Sequence, residues 1–188
     1  AARTRQFWIL SVIFAVCGMV DFFVATHVIA FAQDKGLSPF IAGNLFAIMG
    51  LFGFIGVMIG GQWGDRSGPI PPTAVSFALR VVMFGWLLID QSALSIAAFC
   101  IVFGLTFLVT APLTVLFVRD AFGIKELGAI SGIITMVHMI FAGIGAYAGA
   151  AIFDATRQYD LAFWIMAVAS VVALVATLCL DRKRVPAS

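Results

Sequence analysis

Charge is scarce in this 188-residue chain. Asp, Glu, Lys and Arg make up 11% of it, about half the usual share in a soluble domain, while 63% is hydrophobic and mean hydropathy is +1.12. Such a composition excludes a water-soluble enzyme or binding domain. Cysteine is scarce too: Cys17, Cys100 and Cys179 lie far apart in apolar stretches with no His or Cys at ligand spacing. Neither a disulfide framework nor a metal site is signalled, and the three read as inert core thiols. No basic run is long enough to bind nucleic acid. Phosphate-binding glycine loops and nucleophile–base motifs are also missing, so an ATP-driven pump or a membrane enzyme gains no support and no cofactor is expected.

Long apolar runs are what the chain does have. Crossing ~30 Å of hydrocarbon takes about 20 mainly apolar residues as a helix. Six such runs occur, near 7–32, 39–61, 73–89, 93–118, 127–153 and 161–180. They are too long and too uniformly apolar for barrel strands, so the expectation is an all-α membrane protein, one six-helix bundle over 1–188. The first run is too long for a signal peptide. With both termini in the cytoplasm, Arg3, Arg5, Arg66, Arg119, Lys125, Arg182, Lys183 and Arg184 fall inside and only Lys35 and Arg157 outside. That asymmetry fits an even number of spans.

A shift of 89 residues superposes Gly43 on Gly132, Gly56 on Gly145, Gly60 on Gly149 and Asp65 on Asp154, with Gly53 on Ala142 and Gly61 on Ala150. The second span ends inside at Asp65 and the fifth outside at Asp154. Two three-helix units therefore run oppositely, an inverted 3+3 repeat.

Between the second and third spans stands Gly60-Gly61-Gln62-Trp63-Gly64-Asp65-Arg66-Ser67-Gly68, expected to be a tight, charged cytoplasmic turn. Its G-x-x-x-D-R-x-G spacing, Gly61 to Gly68 through Asp65 and Arg66, resembles the signature loop of the major facilitator superfamily. The resemblance extends over the whole chain and fits a carboxyl-terminal six-helix half: a basic Ala1-to-Arg5 linker, six spans and a basic tail. A start at Ala1 without Met fits a fragment cut at the central cytoplasmic loop, or removal of the initiator. Asp21-Phe22-Phe23-Val24-Ala25-Thr26-His27, Ala111-Pro112-Leu113-Thr114 and Phe153 to Asp160 are similar to bacterial monocarboxylate-porter-like members, which implies the bacterial inner membrane. Pro69-Ile70-Pro71-Pro72 replaces the usual closing basic pair and stiffens the loop. The resemblance implies a cytoplasmic latch, in which Asp65 faces a helix N-terminus of the other half and Arg66 meets Asp120. Their bland reading is that of solvated topology markers.

Polar residues inside the spans are functional candidates by default, because a charge at the bilayer centre costs at least ~2.5 kcal/mol. Asp21 shares a face of the first span with Gly18, Ala25 and Val28 and is a candidate proton-coupling carboxylate. Ser131, Thr135, His138, Ala142, Gly145 and Gly149 follow each other by three or four along the fifth span. The polar part of that face is suited to line a cavity, where His138 is placed to relay a proton, and the small part is suited to close packing. Thr106, Thr110 and Thr114 recur every four residues along the fourth span, with Pro112 as a flexible point; Asn44, one turn into the second, is a further candidate. Structural hydrogen bonds are the alternative for all of these. Arg80 is expected to snorkel to the inner headgroups, an ion pair with Asp21 being disfavoured by their estimated depths. His27 is expected at the outer interface.

The functional expectation is half of a secondary transporter that moves a small solute, an organic anion such as a monocarboxylate, by alternating access with proton coupling. Its partners are lipid and either an amino-terminal six-helix half or a second copy of itself. The alternatives are a native homodimeric half-porter and a non-transporting scaffold or receptor.

Overall fold

The structure is a computed structural model in which residues 4–180 are described; Arg3, Asp181, Arg182, Lys183 and Arg184, used above for orientation and resemblance, lie outside that range. Seven helices follow in order: α1 (Arg5–Asp34), α2 (Pro39–Ser67), α3 (Ile70–Ile89), α4 (Ala93–Phe107), α5 (Thr110–Phe122), α6 (Leu127–Thr156) and α7 (Asp160–Leu178). Helices α4 and α5 are two parts of one apolar stretch, Ala93–Phe122, so the helices long and apolar enough to cross a membrane number six among the described residues.

Helix ends follow local chemistry. Ser38 and Ser92 cap α2 and α4 by accepting the N–H of Ile41 and of Ser95, each at 3.3 Å, and Pro39 opens α2 where its missing N–H is harmless. Gly68 ends α2 at φ +82 with its N–H on the Gly64 carbonyl at 2.8 Å. The expected turn at residues 60–68 is therefore mostly helix. Four residues past the apolar run, Gln62, Asp65, Arg66 and Ser67, are charged or polar, but nothing there breaks a helix before Gly68-Pro69, and an exposed final turn needs no lipid-compatible side chains.

The fourth span breaks at Leu108–Val109 rather than at Pro112 itself. Proline has no N–H for the carbonyl four residues back, and its ring crowds that carbonyl. Here the affected group is Leu108 O, which takes an N–H from Ala111 instead, at 3.2 Å. The disturbance thus surfaces one turn upstream of its cause.

Helix α1 is the centre of the bundle. Of its most apolar 18 residues 67% are buried, against 28% for α2 and 17% for α6, which leave broad faces uncovered. Its C-terminal half packs Phe23 and Phe31 with Tyr159 and Phe163, edge to face and stacked, together with Phe84 and Phe99 of α3 and α4. Its N-terminal half packs Phe7, Leu10, Ile13 and Phe14 against Leu113, Phe117 and Ile134.

The inverted repeat appears as paired close approaches. A Cβ on Gly56 of α2 would lie 2.1 Å from Leu105 O of α4, and one on Gly145 of α6 would lie 2.1 Å from Met19 O of α1. Gly60 meets Val109 while Gly149 meets Phe23 and His27; Gly104 meets Met49 O while Gly18 meets His138 O. In each pair the α2 and α6 members are 89 residues apart and the α1 and fourth-span members 86, counting Phe23 for Gly149; His27, one turn on, has no such counterpart. The second span packs on the fourth as the fifth packs on the first. The helix ends correspond in position: Gly68 and Arg157, again 89 apart, both have positive φ, Arg157 in the left-handed helical region and Gly68 with ψ 168, and Arg157 is the non-glycine with positive φ among the described residues.

Candidate functional site

A cleft of about 400 Å³ lies between α1, the broken fourth span and α6. Its apolar walls include Phe14, Phe22, Phe107, Leu108 and Val115, and its polar groups are Asp21, Thr110, Thr114, Ser131, Thr135 and His138. The stripe of α6 divides where the sequence suggests: Ser131, Thr135 and His138 face the cleft, whereas Ala142, Gly145 and Gly149 are buried against α1.

Behind the cleft sits an ion pair. Arg80 Nη2 lies 2.8 Å from Asp21 Oδ1, with both side chains almost fully buried. Arg80 therefore does not snorkel. The depth estimate failed because α1 and α3 both begin before their apolar runs, so Arg80 lies about 15 Å and not 10 Å into its helix, and each residue sits near the middle of its helix. The guanidinium is also held by Thr106: Nη2 donates to its carbonyl at 2.8 Å and Nε to its hydroxyl at 3.2 Å. Thr106 O belongs to the last turn of α4, where carbonyls have no partner in their own helix; the cation caps it. Phe77 and Phe103 place ring faces 5.3 and 5.0 Å from Arg80 Cζ.

Cys17 joins the two sides. Its thiol donates to Asp21 Oδ2 at 3.1 Å and sits 3.2 Å from Thr110 Oγ1 across the helix break. The threonine row is consequently split: Thr106 turns to Arg80 and a smaller apolar space between α2, α3 and α4, while Thr110 and Thr114 border the cleft. Thr114 also bonds back to the Thr110 carbonyl at 2.9 Å. Asn44 is not brought to this site. It is exposed on α2 and donates to its own helix at Phe40 O, 2.9 Å away.

Three buried side-chain atoms have no hydrogen-bond partner among the described residues: Asp21 Oδ1, Ser131 Oγ and His138 Nδ1. All three belong to residues that line the cleft. For Asp21 Oδ1 the guanidinium is close in charge but out of line for a hydrogen bond. Such groups are rare in native interiors and ask for a reason.

At the C-terminal end of α2, Asp65 and Arg66 are exposed on its last turn, one turn beyond Gly61. Arg66 does not meet Asp120, which instead pairs with Arg119 at 3.0 Å. Toward the C-terminal end of α1, His27 Nε2 bonds the Ala146 carbonyl at 2.8 Å, and Nδ1 lies 3.4 Å from Tyr159 OH. His27 thus ties α1 to α6 and to the α6–α7 loop. Burial, and then the negative charges of Asp34 and Asp154, push the Tyr159 phenol above its ordinary pKa, which keeps it protonated.

Cys17 and the role of Arg80 escaped the sequence. A usable signal existed: Asp21 and Arg80 are an acid and a base near the middle of spans, and Cys17 stands four residues before Asp21, on the same helix face.

Comparison with known proteins decides the family. A family model described as Major Facilitator Superfamily matches residues 6–188. The chain belongs to this superfamily. It is 26% identical over 151 residues to an uncharacterized MFS-type transporter, YcxA, of Bacillus subtilis (strain 168). That alignment takes in 77% of this chain and 36% of the relative, so the chain spans well under half the relative's length. Within the superfamily this member is all-α, with six apolar spans arranged as half of the fold, and it is an integral membrane protein.

Proposed function

We propose that this chain is one six-helix half of a secondary active transporter and that the cleft is its share of the solute path. The observation that carries the reading is the clustering of unpartnered polar atoms of Asp21, Ser131 and His138 on one cleft bordered by a broken helix. Broken spans supply free backbone groups and a pivot where a solute passes, and α2 and α6 keep the uncovered faces against which a second half can rock. Asp21 and His138 are the groups placed to carry a coupling proton, with Thr110, Thr114 and Thr135 as the hydroxyl lining. Asp65, on the C-terminal turn where its own helix dipole disfavours a carboxylate, supports the latch with the other half, together with Arg66, Gly61 and Gly68. Asp120, engaged by Arg119, enters that latch only if the Arg119 contact opens.

An organic anion, the substrate class suggested by the resemblance, needs a cation. Among the described lining residues only His138 is able to provide one, since Arg80 is committed to Asp21 and Thr106. A bacterial inner-membrane location with cytoplasmic termini remains part of this proposal.

The test is accumulation of labelled small acids and amines in proteoliposomes under an imposed proton gradient. Uptake by the chain alone supports a homodimeric porter, and uptake only after co-expression with an amino-terminal six-helix half supports the fragment. Failure of both overturns the reading in favour of a scaffold or receptor.

A further inference from the structure

The cleft wall has a definite polarity. Among the described lining residues its one fixed charge is the Asp21 carboxylate, whose Oδ1 is ion-paired at 2.8 Å with Arg80 but has no in-line hydrogen bond, and Arg80 lies behind it with no exposed side-chain surface. The Phe14 backbone carbonyl is a hydrogen-bond partner of the His138 ring. A carbonyl only accepts, so the unpartnered Nδ1 of the neutral ring is also an acceptor. Asp21 and His138 therefore present two acceptors among the residues that line the cleft. Ser131 lies seven residues from His138 along α6, about 10 Å away, and Phe14, Phe22 and Phe107 stand among the walls between.

Two acceptors, one charged, call for a donor that carries positive charge, and aromatic faces tolerate such a charge. We propose that this wall takes the ammonium head of an amphipathic amine between Asp21 Oδ1 and His138 Nδ1, with the apolar body along the phenylalanines and a polar tail at Ser131. The proposal rests on reading the cleft as the solute path, and it replaces the anion with a cation.

The experiment reads the cleft without transport. In a Cys179→Ser background, Thr135→Cys places a thiol on the exposed part of the lining, leaving Cys17 and Cys100 buried. Its rates of modification by 2-aminoethyl and 2-sulfonatoethyl methanethiosulfonate are measured in nanodiscs with no gradient. Each is divided by the rate of the same reagent with a free thiol in solution. The expected cation-to-anion ratio is about tenfold or more, since clefts of one sign concentrate counter-ions by at least that factor. Asp21→Asn with Arg80→Gln, which removes both charges and strands neither, should return the ratio to about one. A ratio at or below one in the reporter protein, or one unchanged by the double substitution, overturns the proposal. Because no uptake is involved, a selective cleft in a chain that fails to transport refutes only the transporter reading.

Discussion

The Asp21–Arg80 pair sets the energetics at the residue scale. Removing one member of a buried pair strands the other and costs about 3–5 kcal/mol, whereas replacing both by neutral groups is often close to neutral. Asp21→Asn or Arg80→Gln alone should therefore lower the unfolding midpoint in detergent sharply, and the double variant should recover most of the loss; equal loss in all three would mean that the charges do not act as a pair. Close approach gives a second contrast. Gly56→Ala and Gly145→Ala each drive a methyl group into a backbone carbonyl of the neighbouring helix, so both should destabilise by ~1–3 kcal/mol. Gly43→Ala meets open space and should not. These outcomes are read from thermal unfolding of the three variants. The sequence displayed the glycines but not which of them touch. Spacing marks a face, whereas contact depends on how two faces are set in register.

Two turns illustrate what elements owe to their ends. Asp90 sits at the end of α3 and accepts hydrogen bonds from Ser95 Oγ, and from the hydroxyl and backbone N–H of Ser92 at 2.8 and 3.1 Å. The hydroxyl bonds, that from Ser95 first, hold its carboxyl below the usual carboxylate range. A depressed folded-state value means that the contact stabilises above the ordinary carboxylate pKa and is lost as pH falls through the lowered one. The protection factors of amides at the start of α4, that is exchange rates corrected for the intrinsic effect of pH, should fall on acidification below the ordinary range, and Asp90→Asn should flatten that dependence; pH-independent protection in the wild type would refute the assignment. Arg157 closes α6 in the left-handed helical region at φ +57, ψ 23, which glycine occupies without a Cβ penalty. Arg157→Gly should thus stabilise by roughly 0.5–1 kcal/mol, visible as a raised midpoint. The helices were legible from hydrophobic runs, but the break in the fourth span was misplaced because proline acts on a carbonyl four residues before it. Likewise the end of α2 was set too early, since apolarity marks where lipid ends and not where hydrogen bonding ends.

Six spans and their opposed halves were readable because lipid demands apolar length, and a repeat leaves its small residues in register. The site was less readable. Depth counted from apolar edges separated Asp21 from Arg80, although both lie at mid-helix. As a whole molecule the chain leaves α2 and α6 largely uncovered, with Phe40, Leu51, Phe54, Met136, Met139 and Tyr147 exposed. If a second half covers them, native mass in nanodiscs at rising protein density should show a two-chain species unless a six-helix partner is supplied. A chain that stays single under both conditions would leave those faces to lipid.

The order in which the chain is made gives the buried ion pair another meaning. Arg80 belongs to the third span, and an arginine entering a bilayer alone costs about 2.5–3.5 kcal/mol on insertion scales. Its carboxylate, on α1, has already been synthesised, whereas the Thr106 carbonyl that also holds it has not. The first span thus supplies a waiting counter-ion for the third, and a chain deprived of Asp21 should falter during biogenesis, at the insertion of α3, before any folded protein exists to be destabilised.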